Sequence, residues 1–272
     1  MTDVTTMDAP ASLRESYFAT RPTRTFNDIS DRSERLAAMQ HLVDEQFAAL
    51  AEPAHWAAFC EGLARFPHLS PANVLLVMAQ HPSATRLNSH RGWEMRQRAP
   101  IERGIAVLVP TIRHRRVGGV TTWDGGRPVM EEVRQRPATV FDYTSTAGAH
   151  LPRPWDERQD DPRDGFMDDL RAAAAAIGYS VEGRRDEAPG DRRVFAVIHG
   201  TDERTKALTL ARDLGAAAGG AAGAELFAHA LCMSNGMEVP APEVPVDPLP
   251  VVTAARTGLL RVLQRTRFRN QL

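Results

Sequence analysis

Residues 209–220 read TLARDLGAAAGG, and the second half of the chain turns on what this stretch is. Leu210 and Leu214 recur at a four-residue step among strong helix formers, so the spacing predicts a helix that stops at Gly219-Gly220. On that helix Arg212 and Ala216 share one face, a turn apart, with Asp213 beside Arg212. The helical pattern starts near residue 203 and resumes after the glycines through GAELFAHAL, which gives helices over about 203–218 and 221–235. Read alone, it is an alanine-rich helix pair; read with its neighbours, it is the frame of a site.

Composition narrows the classes. The 272 residues, 43% hydrophobic and 25% charged, suit one large globular unit or two ordinary ones. A net charge of −1 removes any global pull toward polyanions, so such a signal must be local. Cys60 and Cys232 are the only cysteines, both in apolar helical patterns, and read as buried thiols with no disulfide framework and no Cys-based zinc site. No apolar run approaches the roughly 18 residues of a membrane helix, and MTDVTTMDAP has no signal-peptide pattern. A cytoplasmic protein without a membrane partner is expected. Lys206 is the single lysine; arginine supplies the other positive charges.

Outward from the opening stretch, the chain divides as follows. Residues 1–30 are a flexible lead-in without apolar period. A helix spans Ser33 to Leu50 with Ser33 as its cap, and a second covers 54–65 with Trp56, Phe59, Cys60 and Leu63 on one face. Ser70 caps a third, Pro71 fits its first position and Pro82 closes it. A short helix is expected over 89–98, a buried strand over 104–112, a loop or hairpin through GGVTTWDGGRPVMEEV, and a strand over 139–145. Residues 153–164, rich in proline and acids, form a linker. Then come a helix over 166–177 closed by Gly178 and a strand over 192–200. Proline-rich residues 239–250 read as an extended tether, and the tail to 272 as a basic helix with Leu259, Leu260, Leu263 and Phe268 as an apolar stripe. That stripe packs on its own domain or on a partner protein. The order predicts an α+β fold in two units, 31–152 and 165–238, the second smaller and mainly helical.

The local charge signal lies between residues 86 and 116. Arg86, Arg91, Arg96, Arg98, Arg103, Arg113, Arg115 and Arg116 face only two acids, Glu94 and Glu102. Such a cluster tracks a phosphate backbone by releasing its counterions. Single-strand binders add aromatic platforms for bases, and Trp93, Trp123 and Tyr143 are the candidates beside the cluster. Trp93 also fits a core position of its helix, and Trp123, between glycines, is the more exposed candidate. His114 sits among the arginines and can join them. Asn73 is read as a structural residue that pins the adjacent turn.

The ordered segments together resemble a family. Ser70, Asn73 and Val74-Leu75-Leu76 are followed by Trp93, Arg98, Glu102-Arg103-Gly104-Ile105 and Pro110, then by Val140-Phe141-Asp142 and Thr146-x-Gly148. This is similar to the N-terminal single-stranded-DNA-binding domain of ArdC-like antirestriction proteins. The second half resembles the zincin-type metallopeptidase domain that follows it, with a T-L-x-H-E-x-x-H helix and an acidic residue on a later helix. The resemblance spans about residues 35–236. It departs at Pro100-Ile101, where the family has Lys-Gly, and at Ser145, where it has Gln. It implies single-stranded DNA or RNA as partner, and mobile-element DNA and its protection from restriction as setting.

The largest departure is in the opening stretch. In H-E-x-x-H two imidazoles one turn apart share a zinc and the glutamate activates its water. Here Arg212 and Ala216 hold the histidine positions, Asp213 the glutamate position and Glu225 the downstream acid. A guanidinium offers no lone pair and repels a cation, and alanine offers no ligand atom. The expectation is therefore a retained scaffold with no metal, no cofactor and no catalytic residues. Two rivals stay open: a metallopeptidase that recruits other ligands, such as Glu225 and His229 with His199, and a module that binds only protein.

Overall fold

The computed structural model describes residues 26–124, 127–151, 161–184 and 193–264. Three helices come first. α1 (Arg32–Ala49) starts at Asp31 and not at Ser33, because the Asp31 carboxylate accepts the Glu34 N–H at 2.7 Å. α2 (Pro53–Arg65) buries Trp56, Phe59, Cys60 and Leu63, the face its spacing predicts. α3 (Pro71–Gln80) is capped by Ser70 with Pro71 in its first turn. The segment before α1 is docked at Phe26–Asp28, and the lead-in expected over 1–30 otherwise falls on residues outside those described.

β1 (Leu87–Asn88) leads into α4 (His90–Glu94), shorter than the helix expected over 89–98. The chain turns through Gln97 at φ 56 into β2 (Arg98–Pro100), which pairs antiparallel with β9 (Thr146–Gly148). The main sheet is an antiparallel pair, β3 (Ile105–His114) and β8 (Met130–Asp142), with β1 beside the last two residues of β8. Two small ribbons close its far end: β4 (Arg116–Val117) with β5 (Val120–Thr121), and β6 (Trp123–Asp124) with β7 (Arg127–Pro128).

At its base the hairpin is buried on both faces, as the unbroken apolar run AVLV suggests. Ile105 and Val107 join the main core, while Ala106 and Leu108 pack with Met39, Val43 and Leu76. Beyond Pro110 it leaves the body, and Arg134, Gln135 and Arg136 on β8 are exposed. That is why residues 130–138 carry no strand-like apolar pattern and sequence reading started this strand too late.

The outer edge of β3 is closed by two side-chain amides. Asn73 donates to Leu108 O at 2.8 Å and accepts its N–H at 2.7 Å; Gln80 does the same for Ala106 at 2.8 and 2.9 Å. Two side chains of α3 thus stand in for a neighbouring strand, and Pro110 removes the next alternate donor. Asn73 is structural, as read, but it pins this strand and not its own turn. Leu108 faces Pro137 across the pair; because Leu108 bonds outward, β3 requires no donor from the proline.

In the second half, α5 (Phe166–Ala176) precedes β10 (Ser180–Arg184) and β11 (Val194–Ile198), which pair in parallel. β10 escaped sequence reading because SVEGR carries a single apolar residue. α6 (Glu203–Gly219) and α7 (Ala224–Ser234) break at Gly220, whose φ is 110. α8 (Pro248–Leu263) packs back on both through Val252, Ala255, Leu259 and Val262. The tail's stripe is therefore spent on its own chain as far as residue 264; Arg265, Arg267, Phe268 and Arg269 lie outside the described residues.

The glycines of the opening stretch have a packing reason. A Cβ on Gly215 would stand 2.7 Å from the Phe227 ring, and one on Gly219 would stand 2.1 Å from Ala254 O in α8. Gly223 meets the Ala255 N at 2.2 Å in the same way. AAAGG is the surface on which the last helix lies backbone to backbone.

The fold mixes helices and strands as α+β. One apolar cluster runs through Trp56 and Phe59 of α2, Leu170 of α5, Leu214 of α6, Phe227 of α7 and Leu259 of α8. Of residues 239–250, expected as an extended tether, 248–250 open α8, and the stretch before them is held across this core: Trp56 Nε1 donates to Pro242 O at 2.7 Å, and His229 Nδ1 donates to Pro240 O at 3.0 Å. Residues 153–160 of the linker lie outside the described residues, and the segments on either side share this core.

Candidate functional site

The arginine cluster read as one patch is two. At the base of the hairpin, α4 and the turn after it present Arg91 and Arg96, both exposed, with Arg86 half-buried beside them. Burial, and then the charge of Arg96, lowers Arg86 from the ordinary arginine value. Arg103, on the loop leading into β3, is also exposed, and its Nη1 lies 3.0 and 3.1 Å from the two carboxylate oxygens of Asp28. Met95, 79% exposed, and Ile101 add apolar surface on either side of β2.

Arg115 and Arg116 sit at the other end. β3 runs ten residues from Ile105 to His114, and at about 3.3 Å per residue they stand roughly 30 Å from the base. Trp123 is there too, 62% exposed on β6, with Val117 and Val120 close by in sequence and also exposed. Backbone bonds fix this tip: Arg115 N–H to Val129 O, Thr122 N–H to Arg115 O, and Val129 N–H to Thr122 O, each within 2.7 to 2.8 Å. The side chain of Arg113 lies outside those described. Sequence reading stopped at residue 116 and missed Arg134 and Arg136, exposed on β8 between the two ends. Only the antiparallel register, which sets them opposite Thr111 and Val109, places them along the hairpin between its two ends.

Three predicted contact residues are interior. Trp93 is fully buried, and its Nε1 donates to Phe141 O at 2.8 Å. Tyr143 is buried beneath the Arg98 guanidinium, which lies 4.0 Å from its ring centre. Arg98 is itself buried and makes five hydrogen bonds, the number of N–H donors a guanidinium has. It donates to Thr146 Oγ1 at 2.8 Å, Thr146 O at 2.5 Å, Gly148 O at 3.2 Å, Tyr143 O at 3.4 Å, and Ala149 O. These residues build the β2–β9 ribbon, and none offers a free face to a base or a free fork to a phosphate. Of the aromatic candidates only Trp123 is accessible.

In the second half, Arg212 and Glu225 do meet. Arg212 Nε donates to Glu225 Oε2 at 2.8 Å, with the two side chains 44% and 60% exposed. Ala216 lies one turn along α6, and Asp213 is half-buried, its carboxyl pushed up by desolvation. A zinc does not fit this donor set, because the carboxylate already faces a fixed cation and the neighbouring position has no ligand atom. The alternative ligands are not assembled: His199 is exposed beside Gly183, His229 is buried against Pro240, and among the described residues no three His, Cys, Asp or Glu side chains are grouped to hold a metal. Burial pushes the Cys232 thiol up to about 12, in keeping with its reading as an inert buried residue.

No family model matches the chain, and no curated protein matches it. Among solved structures it is similar to the antirestriction protein ArdC of plasmid R388 in two forms. The metal-free form aligns at 15% identity and a TM-score of 0.40 over 86% of this chain and 95% of that one. The Mn(II)-bound form gives the same identity and TM-score over 84% and 97%. Among the described residues no helix is long and apolar enough to cross a membrane.

Proposed function

We propose that this protein binds single-stranded nucleic acid through the β3–β8 arm and the arginines at its base. The carrying observation is the arm tip, where the exposed indole of Trp123 stands with Arg115 and Arg116 on a fixed set of ribbons. Exposed guanidiniums neutralise phosphates, and an accessible ring stacks on an unpaired base but not on one already stacked in a duplex. The motif resemblance adds a setting, the handling of mobile-element DNA in the cytoplasm. Replacing Arg115 and Arg116 with Ala is expected to weaken single-strand binding and to flatten its salt dependence by about 1.4 in log–log slope, at about 0.7 per lost phosphate contact. Trp123→Ala is expected to cost about 1–3 kcal/mol with no change of slope. Fluorescence anisotropy across salt measures both; unchanged affinity in both variants removes the arm from the site.

The second unit, over residues 165–238, is on this reading a peptidase-like scaffold without peptidase chemistry. Its support is the Arg212–Glu225 pair, which sets a permanent cation where such a helix would present a ligand. The pair is exposed, so Arg212→Ala alone should change stability by less than about 1 kcal/mol. Arg212→His combined with Ala216→His restores two imidazoles one turn apart across from Glu225. The double variant is expected to retain one zinc per chain on dialysis and the parent none. Zinc held by the parent would favour the peptidase rival, and none held by the variant would deny that these helices keep a metal-site geometry.

A further inference from the structure

The division of the arginine cluster into two patches has a consequence for the length of strand this protein takes. Arg91 and Arg96 lie at one end of the β3–β8 hairpin, and Arg115, Arg116 and Trp123 at the other. Ten residues of β3 separate them, roughly 30 Å at strand rise. Exposed Arg134 and Arg136 stand on β8 along the way. Six exposed arginines, Arg91, Arg96, Arg115, Arg116, Arg134 and Arg136, outnumber the acids described near this path, Glu94, Glu102 and Asp124; the side chains of Glu131 and Glu132 are outside those described. An arm exposed beyond Pro110 with cations at its base, its middle and its end is a track, not a pocket.

We propose that one single strand engages both ends of the arm at once, which sets a minimum length for tight binding. This rests on the nucleic-acid reading above and adds the geometry to it. At the stacked spacing of about 3.4 Å per nucleotide, 30 Å corresponds to about nine nucleotides, and to fewer when the strand is stretched. A strand shorter than that touches one patch. A strand that spans both converts the second contact into an intramolecular one, and affinity rises without any new contact type. The sugar is not selected by this geometry, so DNA and RNA strands share the length rule.

The test uses the full chain and labelled oligothymidylates and oligouridylates of four to sixteen nucleotides, read by anisotropy at one fixed salt. The expected result is a step of about tenfold or more between roughly six and ten nucleotides, level beyond about twelve. Replacing Arg115 and Arg116 with Ala should abolish the step, so that long strands bind the variant hardly more tightly than short ones do. A smooth rise proportional to the number of binding registers, alike in parent and variant, overturns the two-ended track while leaving nucleic-acid binding in place. Absence of binding at every length overturns the nucleic-acid reading itself, and this inference with it. A step for one sugar only supports the track for that strand and overturns the shared length rule.

Discussion

Gly219→Ala is expected to loosen the last helix from the molecule and to lower stability by about 3 kcal/mol, at the upper end of the usual cost of overpacking. The added methyl would stand 2.1 Å from Ala254 O and 2.8 Å from Gly258 N. Both are backbone atoms of α8, so no side chain can rotate to make room. Relief requires α8 to move as a body, which uncovers Val252, Ala255, Leu259 and Val262. At about 2–4 °C per kcal/mol for a chain of this size, the melting midpoint should fall by about 6–12 °C. Ala216→Ser, one turn earlier and half exposed, should stay within about 0.5 kcal/mol of the parent. A Gly219→Ala protein as stable as the parent would mean that α8 does not lie against α6 as described.

Arg98→Ala should be costlier still, by about 4 kcal/mol, and for a reason unrelated to its charge pattern in the sequence. The carbonyls of Tyr143, Thr146, Gly148 and Ala149 all receive its N–H groups, with Arg98, Tyr143 and Thr146 themselves buried. Each acceptor left unsatisfied costs about 1–3 kcal/mol, with partial rehydration offsetting some of the total. Arg98→Lys should not rescue it, since an ammonium brings three donors and no planar fork. Arg96→Ala, two residues away and exposed, should leave the denaturation midpoint within about 0.5 kcal/mol and act only on binding. Equal stability of the two variants would return Arg98 to the surface patch and undo the assignment of the ribbon.

These two positions mark where the sequence was legible and where it was not. Local signals with a direct physical cause were read correctly. Ser70 and Pro71 open α3, apolar spacing sets the buried face of α2, and Gly219-Gly220 ends α6. The run AVLV announced a strand covered on both faces. Strands without an apolar pattern were not legible: β10 has one apolar residue, and the outer part of β8 projects from the body, so neither carries the alternation that burial imposes. Nor could the sequence tell an arginine that faces water from one that closes a ribbon. Arg96 and Arg98 stand two residues apart, and only the pairing of β2 with β9 turns one inward.

The sequence by itself determined most of the helices, the Ser70 cap of α3, the α+β class and the presence of a basic stretch, because each of these follows from propensity, periodicity and charge within a few tens of residues. Tertiary structure alone decided which cations share a surface. It split the arginines over the length of a hairpin and buried Trp93 and Tyr143 while leaving Trp123 bare. It also brought Arg212, thirteen residues before Glu225 in the chain, to 2.8 Å from it. Contacts of that kind depend on how helices cross and strands register, and no local pattern carries that information.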